Sequence, residues 1–386
     1  MYMEWNRLDE SYLDYSATTP VCDAAVKACV CAMKQEFGNP SSLYRLGLDA
    51  ERIVASSRRT LAKALKCEEQ CLFFTGSATE SNNIAIFGSL AANSRKGKKI
   101  ITTAVEHAAV LGPFAELQKR GYEAVFLAPD ETGTYTAEQF FNAVDDHTAL
   151  VSVMLVNNEV GTRYPVEKII RAVRQKNPDT LVHIDAVQGA FKIPFSIRQA
   201  APDLLSVSGH KIYAPKGVGA LYIKKGIRVS PVLFGGGQEK GIRPGTESVP
   251  LIAAFAAAVD WYLPQQNSLF SRYEALQAQL LECLSAIPDI SFNSPSGGVP
   301  YITNISVQGI RSEIMLHFLE NKGVYVSSGS ACSKGAKSHV LKALGISDSR
   351  ADHALRVSFG AFTTSEDVDR LVTGLKEGIS SLIRSR

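Results

Sequence analysis

The sequence predicts an α/β protein with a large, doubly wound, mainly parallel sheet and a smaller α+β domain. Three observations carry this. Between about Thr60 and Ile223, short β-rich runs alternate with helix-like segments, the order that puts helices on both faces of one sheet. Several runs, such as Leu150 to Val156, are apolar at consecutive positions, which suits strands buried on both faces. After the Gly-rich stretch Phe234 to Gly245 the pattern changes to long helices with a few short strands.

In order, the predicted strands of the large sheet are Cys71 to Thr75, Lys99 to Thr102, Ala124 to Leu127, Leu150 to Val156, Leu181 to Ile184, Leu204 to Val207 and Gly219 to Ile223. Helical periodicity then runs over Pro250 to Leu263 and Leu269 to Ile287. Ile302 to Val307 and Val324 to Ser328 read as strands of a smaller sheet, with helices near Ser338 to Leu344 and Ser365 to Ser381. The expected division is a large domain over 17–255 and a small one built from 1–16 and 256–386. Ligands should collect at the carboxyl ends of the parallel strands.

With 386 residues, 45% of them hydrophobic, the chain has apolar material for one large core or two ordinary ones. Its formal charge of +3, spread evenly, argues against nucleic acid or a membrane surface as direct partners. The longest apolar run, Leu251 to Val259, stops at Asp260, well short of the roughly 20 residues of a membrane helix. The acidic start, with Glu4, Asp9, Glu10 and Asp14, is no secretory signal. A cytosolic protein is expected.

The cysteines are Cys22, Cys29, Cys31, Cys67, Cys71, Cys283 and Cys332, with no Cys-x-x-Cys pair and no His at zinc-finger spacing. Neither a disulfide framework nor a metal site is expected, and six thiols read as small buried hydrophobes. Cys332 differs. It lies in Ser327-Ser-Gly-Ser-Ala-Cys332-Ser-Lys-Gly335-Ala-Lys337, with almost nothing apolar to bury it. A mobile, exposed loop is expected there, and its two lysines favour the reactive thiolate.

Polar residues at predicted strand ends carry the remaining chemistry. Leu181-Val-His-Ile-Asp185 ends an apolar run in a carboxylate, which wants a cationic partner if buried. On this segment alone a helix N-cap explains it equally. Leu204-Leu-Ser-Val-Ser208-Gly-His210-Lys211 ends a second run in a lysine. A partly desolvated lysine is a nucleophilic amine, although alone it reads as a solvated loop residue. Together the two residues suggest a Schiff base between Lys211 and pyridoxal phosphate, with Asp185 holding the pyridine nitrogen protonated.

Thr75-Gly-Ser77-Ala-Thr79-Glu, a Gly turn opening a helix, suits either a phosphate cradle or an ordinary cap. No Walker or Gly-x-Gly-x-x-Gly pattern competes for a nucleotide. His107 follows a strand and can lie over an aromatic cofactor or serve structure alone. Asn158, in Val156-Asn-Asn-Glu159, can bind a ligand or form a turn. Arg356, in Leu355-Arg-Val-Ser-Phe-Gly360, is shaped to bind a carboxylate bidentately.

Taken together these residues resemble the NifS/IscS-type cysteine desulfurases, in the class V aminotransferase group of pyridoxal-phosphate enzymes. The matching motifs are Leu13-Asp-Tyr-Ser-Ala-Thr-Thr-Pro20, Phe37-Gly-Asn-Pro-Ser, Ala78-Thr-Glu-Ser, Glu106-His, Asn157-Asn-Glu, Asp185-Ala-Val-Gln, Ser208-Gly-His-Lys, Gly235-Gly-Gly, Gly245-Thr, Ser328-Gly-Ser-Ala-Cys and Arg356-Val-Ser-Phe-Gly. They cover nearly the whole chain in the family's order. The Ser-Gly-Ser-Ala-Cys context resembles the first group of these enzymes.

The resemblance implies the fold type I of pyridoxal-phosphate transferases. Lys211 would be the Schiff-base lysine, Asp185 would pair the pyridine nitrogen, Gln188 would bond the ring hydroxyl and His107 would stack on the ring. Ala78, Thr79, Ser208 and His210 would hold the phosphate, joined by Thr246 from the second subunit of a homodimer. Asn158 and Arg356 would grip the carboxylate of L-cysteine. Lys211 would take the substrate's α-proton, Cys332 would attack its sulfur, and His107 would move protons at its thiol. The products would be alanine and a Cys332 persulfide, passed to a sulfur-acceptor protein for iron-sulfur cluster assembly or tRNA or cofactor thiolation. Transient ligation of an iron-sulfur cluster by Cys332 is a further implied contact.

The chain departs from that pattern in five places. The stretch from Cys332 to Val340 is shorter than in the housekeeping enzymes, and Tyr44 and Gln238 stand where those often carry His. Pro244 precedes Gly245 where Ser is usual, and no longer tail follows Arg386. These changes bear on the acceptor. A selenocysteine lyase or another class V aminotransferase-like enzyme is the alternative within the fold; a catalytically silent sulfur-carrier scaffold is the alternative outside enzymes.

Overall fold

The computed structural model describes residues 10–130, 132–328 and 338–383. Cys332, and with it the expected exposed loop, lies outside the described residues. The strands are β1 (Ser11–Tyr12), β2 (Leu72–Thr75), β3 (Lys99–Thr103), β4 (Glu123–Leu127), β5 (Thr148–Met154), β6 (Leu181–Asp185), β7 (Leu204–Ser208), β8 (Gly219–Ile223), β9 (Ile290–Phe292), β10 (Ile302–Val307), β11 (Val324–Tyr325), β12 (Ser327–Ser328) and β13 (Ala354–Ser358).

Seven strands form the large sheet in the order β2-β8-β7-β6-β5-β3-β4. Its neighbours from β7 to β4 are parallel, while β8 runs antiparallel to both β2 and β7. Every residue of β5, β6 and β7 is buried, which is why those runs read as continuously apolar rather than alternating. The loops after β3, β5, β6 and β7 therefore emerge at one edge. Because β2 is antiparallel to β8, its carboxyl end lies at that edge too.

A second sheet, β12-β13-β10-β9, is antiparallel. The predicted strand Val324 to Ser328 divides in two: β11 pairs in parallel with β1, whereas β12 joins β13. Ser358 N donates to Leu13 O at 2.7 Å, and Ser16 N donates to Ser358 Oγ at 2.9 Å. The N-terminal segment thus lies on the small sheet before crossing to the large one. One continuous apolar core includes residues from both sheets.

The expectation of buried cysteines holds for Cys22 and Cys71 only; Cys29, Cys31, Cys67 and Cys283 are half-buried. Their positions on helices and turns at the margin of the core leave one side of each uncovered. Burial still raises the pKa of Cys22, Cys29, Cys67 and Cys71, that of Cys67 to about 12. Those four thiols are held protonated and are weak nucleophiles.

His183, wholly buried within β6, sits between Ser152 and Ser206, with Nδ1 2.8 Å and Nε2 3.0 Å from their hydroxyls. Burial lowers its pKa to about 4, against a smaller upward pull from Asp185. An unfolded histidine takes up its proton near 6.5, so this group's contribution to stability is complete above that pH and is lost as pH falls toward 4. Urea unfolding of the cofactor-free protein at pH 7 and pH 4.5 should show the wild type losing roughly 2–3 kcal/mol more than His183→Gln. Equal losses would contradict this.

Candidate active site

Apolar strands deliver the polar residues to the shared edge. Asp185 is the last residue of β6 and pairs in register with Ser206 of β7. Its Oδ1 accepts from Val187 N at 3.0 Å, and its Oδ2 accepts from Asn82 Nδ2 at 2.8 Å. Asp185 is thus no simple N-cap. Its second partner, Asn82, lies on the helix Ala78–Asn83 and is fully buried.

Lys211 closes the tight turn Gly209–Lys211 that follows β7. Its half-buried Nζ donates to Ser16 O at 2.6 Å and to Ala17 O at 2.7 Å. The turn is braced from the N-terminal segment, with Thr19 Oγ1 donating to His210 O at 3.0 Å and accepting from Tyr213 N at 2.8 Å. Tyr213 takes φ 65°, a costly conformation for an aromatic residue. Its buried ring stacks on Tyr262 at 5.6 Å, and its hydroxyl accepts from Ala361 N.

His107 caps the helix Ala108–Lys119, with Nδ1 accepting from Ala109 N at 3.1 Å. That bond leaves the proton of the neutral ring on Nε2. Burial lowers its pKa, opposed by Asp185 and aided by Lys211 and His339, so all three charged or titratable neighbours are in electrostatic reach of the ring. Glu106, before it, is fully buried; Oε1 accepts from Thr103 Oγ1 and Met154 N, both at 2.8 Å. Burial pushes the Glu106 carboxyl up to about 8.

The turn at Gly76 and Ser77 leads into a helical stretch whose first hydrogen bonds include Glu80 N to Ser77 Oγ at 3.2 Å. It packs directly on β8: a Cβ on Gly219 would lie 2.8 Å from the Ser77 carbonyl carbon, so only glycine fits there. Ala78 is half-buried and Thr79 exposed at this helix start, while Ser208 is buried at the end of β7. His210 Nδ1 lies 3.2 Å from Thr18 Oγ1, and burial, with Lys211 and two further lysines, lowers its pKa to about 3. Thr246 is exposed.

Arg356, on β13, is brought in from the small sheet. Its Nη1 donates to Asn158 O at 2.9 Å and its Nη2 pairs with Asp14 at 2.8 Å. Its Nε has no partner among the described residues. Gln188 is buried and donates from Nε2 to Ser16 O at 2.9 Å. Sequence reasoning missed Asn82, Asp14 and the Ser16 carbonyl. Asn82 alone left a side-chain signal, as one of two amides closely following the Gly76-Ser77 turn.

The sequence profile of the aminotransferase class-V family matches residues 11–371. The chain belongs to the class-V aminotransferase family. It is 39% identical over 374 residues to a protein named cysteine desulfurase IscS from Methanosarcina thermophila, covering 96% of this chain and 92% of that one. A solved structure titled NifS-like protein superposes with a TM-score of 0.92 at 35% identity, over 97% of this chain and all of the other. A third, titled SspA in complex with cysteine, gives a TM-score of 0.79 at 31% identity, over 92% and 100% of the two chains. Class-V aminotransferases use pyridoxal phosphate, and the large mainly parallel sheet with its smaller α+β partner is their fold type I.

Proposed function

We propose that this chain is a pyridoxal-phosphate-dependent cysteine desulfurase, turning L-cysteine into L-alanine while Cys332 takes the sulfur as a persulfide. One observation supports this reading above the others: Asp185 ends β6 and Lys211 closes the turn after the adjacent parallel strand β7, with the His107 ring in electrostatic reach of both. The donor set fits the cofactor. Among the described residues two donors reach Asp185, Asn82 Nδ2 and Val187 N, leaving lone pairs for a protonated ring nitrogen. The Gly76 turn, seated on Gly219, offers backbone N–H groups and hydroxyls for a phosphate.

Lys211, Asp185, Gln188 and His107 would hold the ring; Ala78, Thr79, Ser208 and His210 would hold the phosphate, with Thr246 of a second copy. When bound, pyridoxal phosphate supplies an aldehyde that takes up an amine and a ring that draws electrons from the substrate's α-carbon. The chain's residues do the rest. Asn158 and Arg356 hold the substrate carboxylate, with Asp14 fixing the guanidinium and Nε left to donate. Lys211 Nζ takes the α-proton. His107 holds its proton on Nε2, placed to move it at the substrate's sulfur and β-carbon.

Atoms balance across the transfer. The carbon–sulfur bond of cysteine breaks, a sulfur–sulfur bond forms at Cys332, and the freed carbon gains the proton that makes it the methyl group of alanine. The Cys332 persulfide then hands its outer sulfur to an acceptor protein for iron-sulfur clusters or thiolation, and the thiolate so regenerated can ligate a cluster transiently.

A homodimer in the cytosol, with a large domain over 17–255 and a small one from 1–16 and 256–386, completes the proposal. Exposed Phe37, Leu43, Leu233 and Phe234 support a second copy. So does a cavity of about 620 Å³ lined by Phe87, Leu117, Tyr122 and Leu233, away from Lys211 and Asp185. Among the described residues no helix is long and apolar enough to cross a membrane.

The test is direct: purified protein with pyridoxal phosphate should gain visible absorbance and, with L-cysteine and a thiol reductant, release alanine and sulfide in equal amounts. A protein that stays colourless with added cofactor would overturn the proposal. A selenocysteine lyase would instead act on selenocysteine with far greater turnover than on cysteine.

A further inference from the structure

Lys192 is a buried lysine to which the proposed reaction gives no task. It follows Phe191, whose backbone is held at φ 65° while its carbonyl accepts from Gln266 Nε2 at 2.6 Å. An aromatic residue in that conformation is strained, and the turn directs the next residue inward: Lys192 is 7% exposed. Its Nζ donates to Gln188 Oε1 at 3.4 Å and lies 5.3 Å from the centre of the Tyr301 ring. Tyr301 in turn donates from its hydroxyl to Gln188 O at 2.9 Å.

No carboxylate pairs with Lys192 among the described residues. The charged and titratable groups facing it are Lys211, His210 and the Tyr301 phenol, itself under the influence of Arg163. Burying an ammonium without a counter-charge is expensive, and burial together with Lys211 lowers its pKa to about 7. The fold retains this cost, so what Lys192 touches becomes informative.

Gln188 links it to the site. The Gln188 amide points Oε1 at Lys192 and Nε2 at Ser16 O, the same carbonyl that accepts from Lys211 Nζ. The two lysines are thus joined through one amide and one carbonyl. A positive charge close to a second amine disfavours protonation of that amine and favours an anion nearby. Lys192 also fixes which end of the Gln188 amide faces the site.

We propose that Lys192 is a positioning residue that locks the orientation of Gln188 and, while it carries its own proton, lowers the proton affinity of Lys211. The proposal rests on reading Lys211 as the cofactor-bearing lysine. It assigns to Lys192 no contact with substrate.

The test compares wild type, Lys192→Met and Lys192→Arg holoproteins by titrating the visible absorbance of bound pyridoxal phosphate against pH, and the cofactor-free proteins by urea unfolding. Lys192→Met should raise the midpoint of the spectral titration by about one pH unit and unfold at a higher urea concentration than wild type. Lys192→Arg, whose guanidinium stays charged where Lys192 is partly neutral, should leave the midpoint at or below the wild-type value. An unmoved midpoint in Lys192→Met, an equal shift in Lys192→Arg, or a Lys192→Met protein that fails to fold would each overturn the proposal. Wild-type protein without visible cofactor absorbance would overturn the Lys211 assignment beneath it.

Discussion

Lys211→Ala should fold, bind pyridoxal phosphate only reversibly, and lose cysteine turnover by on the order of 10⁴-fold. The variant keeps the strands that place the site, because Lys211 lies in the turn after β7 and outside the strands themselves, its half-buried Nζ donating to Ser16 O and Ala17 O. Borohydride reduction of the wild-type holoprotein followed by peptide mass analysis should find the pyridoxyl group on Lys211, and in the variant on no lysine. Lys211→Arg should not rescue turnover, since a guanidinium stays protonated and cannot act as a nucleophilic amine. A pyridoxyl group on another lysine in wild type, Lys192 included, would contradict the assignment.

The second large effect concerns the sulfur. Cys332→Ala should retain the cofactor's visible absorbance and bind L-cysteine, yet alanine and sulfide formation should fall by on the order of 10³-fold, because the nucleophile that accepts the sulfur is gone. The thiols that burial holds protonated, Cys22, Cys29, Cys67 and Cys71, are not suited to replace it. Unchanged turnover would point to a lyase mechanism that does not use this thiol. Measuring alanine and sulfide separately distinguishes a lost acceptor from a lost cofactor.

The large sheet was legible because buried parallel strands write themselves as uninterrupted apolar runs. The polar residues that end them, Asp185, Ser208 and Lys211, stand out against that background. Boundaries moved by a residue or two, as where the run Leu150 to Val156 became Thr148–Met154. Val324 to Ser328 read as one strand because the apolar run continues through Val326, whereas in the fold its two halves pair with different sheets. Pairing partners far away in sequence decide that, and no local pattern records them.

The same limit explains what was missed at the site. Ser16 acts through its carbonyl, which has no side-chain signature. The Asp14–Arg356 pair joins positions 342 residues apart, and the burial of Lys192 follows from the left-handed turn at Phe191, which has no sequence signature. Electrostatics were hidden for a related reason: the lowered pKa values of His107 and His210 follow first from burial, which depends on what the small sheet and N-terminal segment cover.

Sulfur labelling tests the central claim most directly. Holoprotein is given sulfur-labelled L-cysteine without reductant, digested with trypsin, and the peptide Gly323 to Lys334 is analysed by mass. The expected result is that this peptide carries one additional, labelled sulfur on Cys332, released by a thiol reductant, in an amount matching the alanine formed. Alanine formed in stoichiometric or greater amount with no label on Cys332 would contradict it.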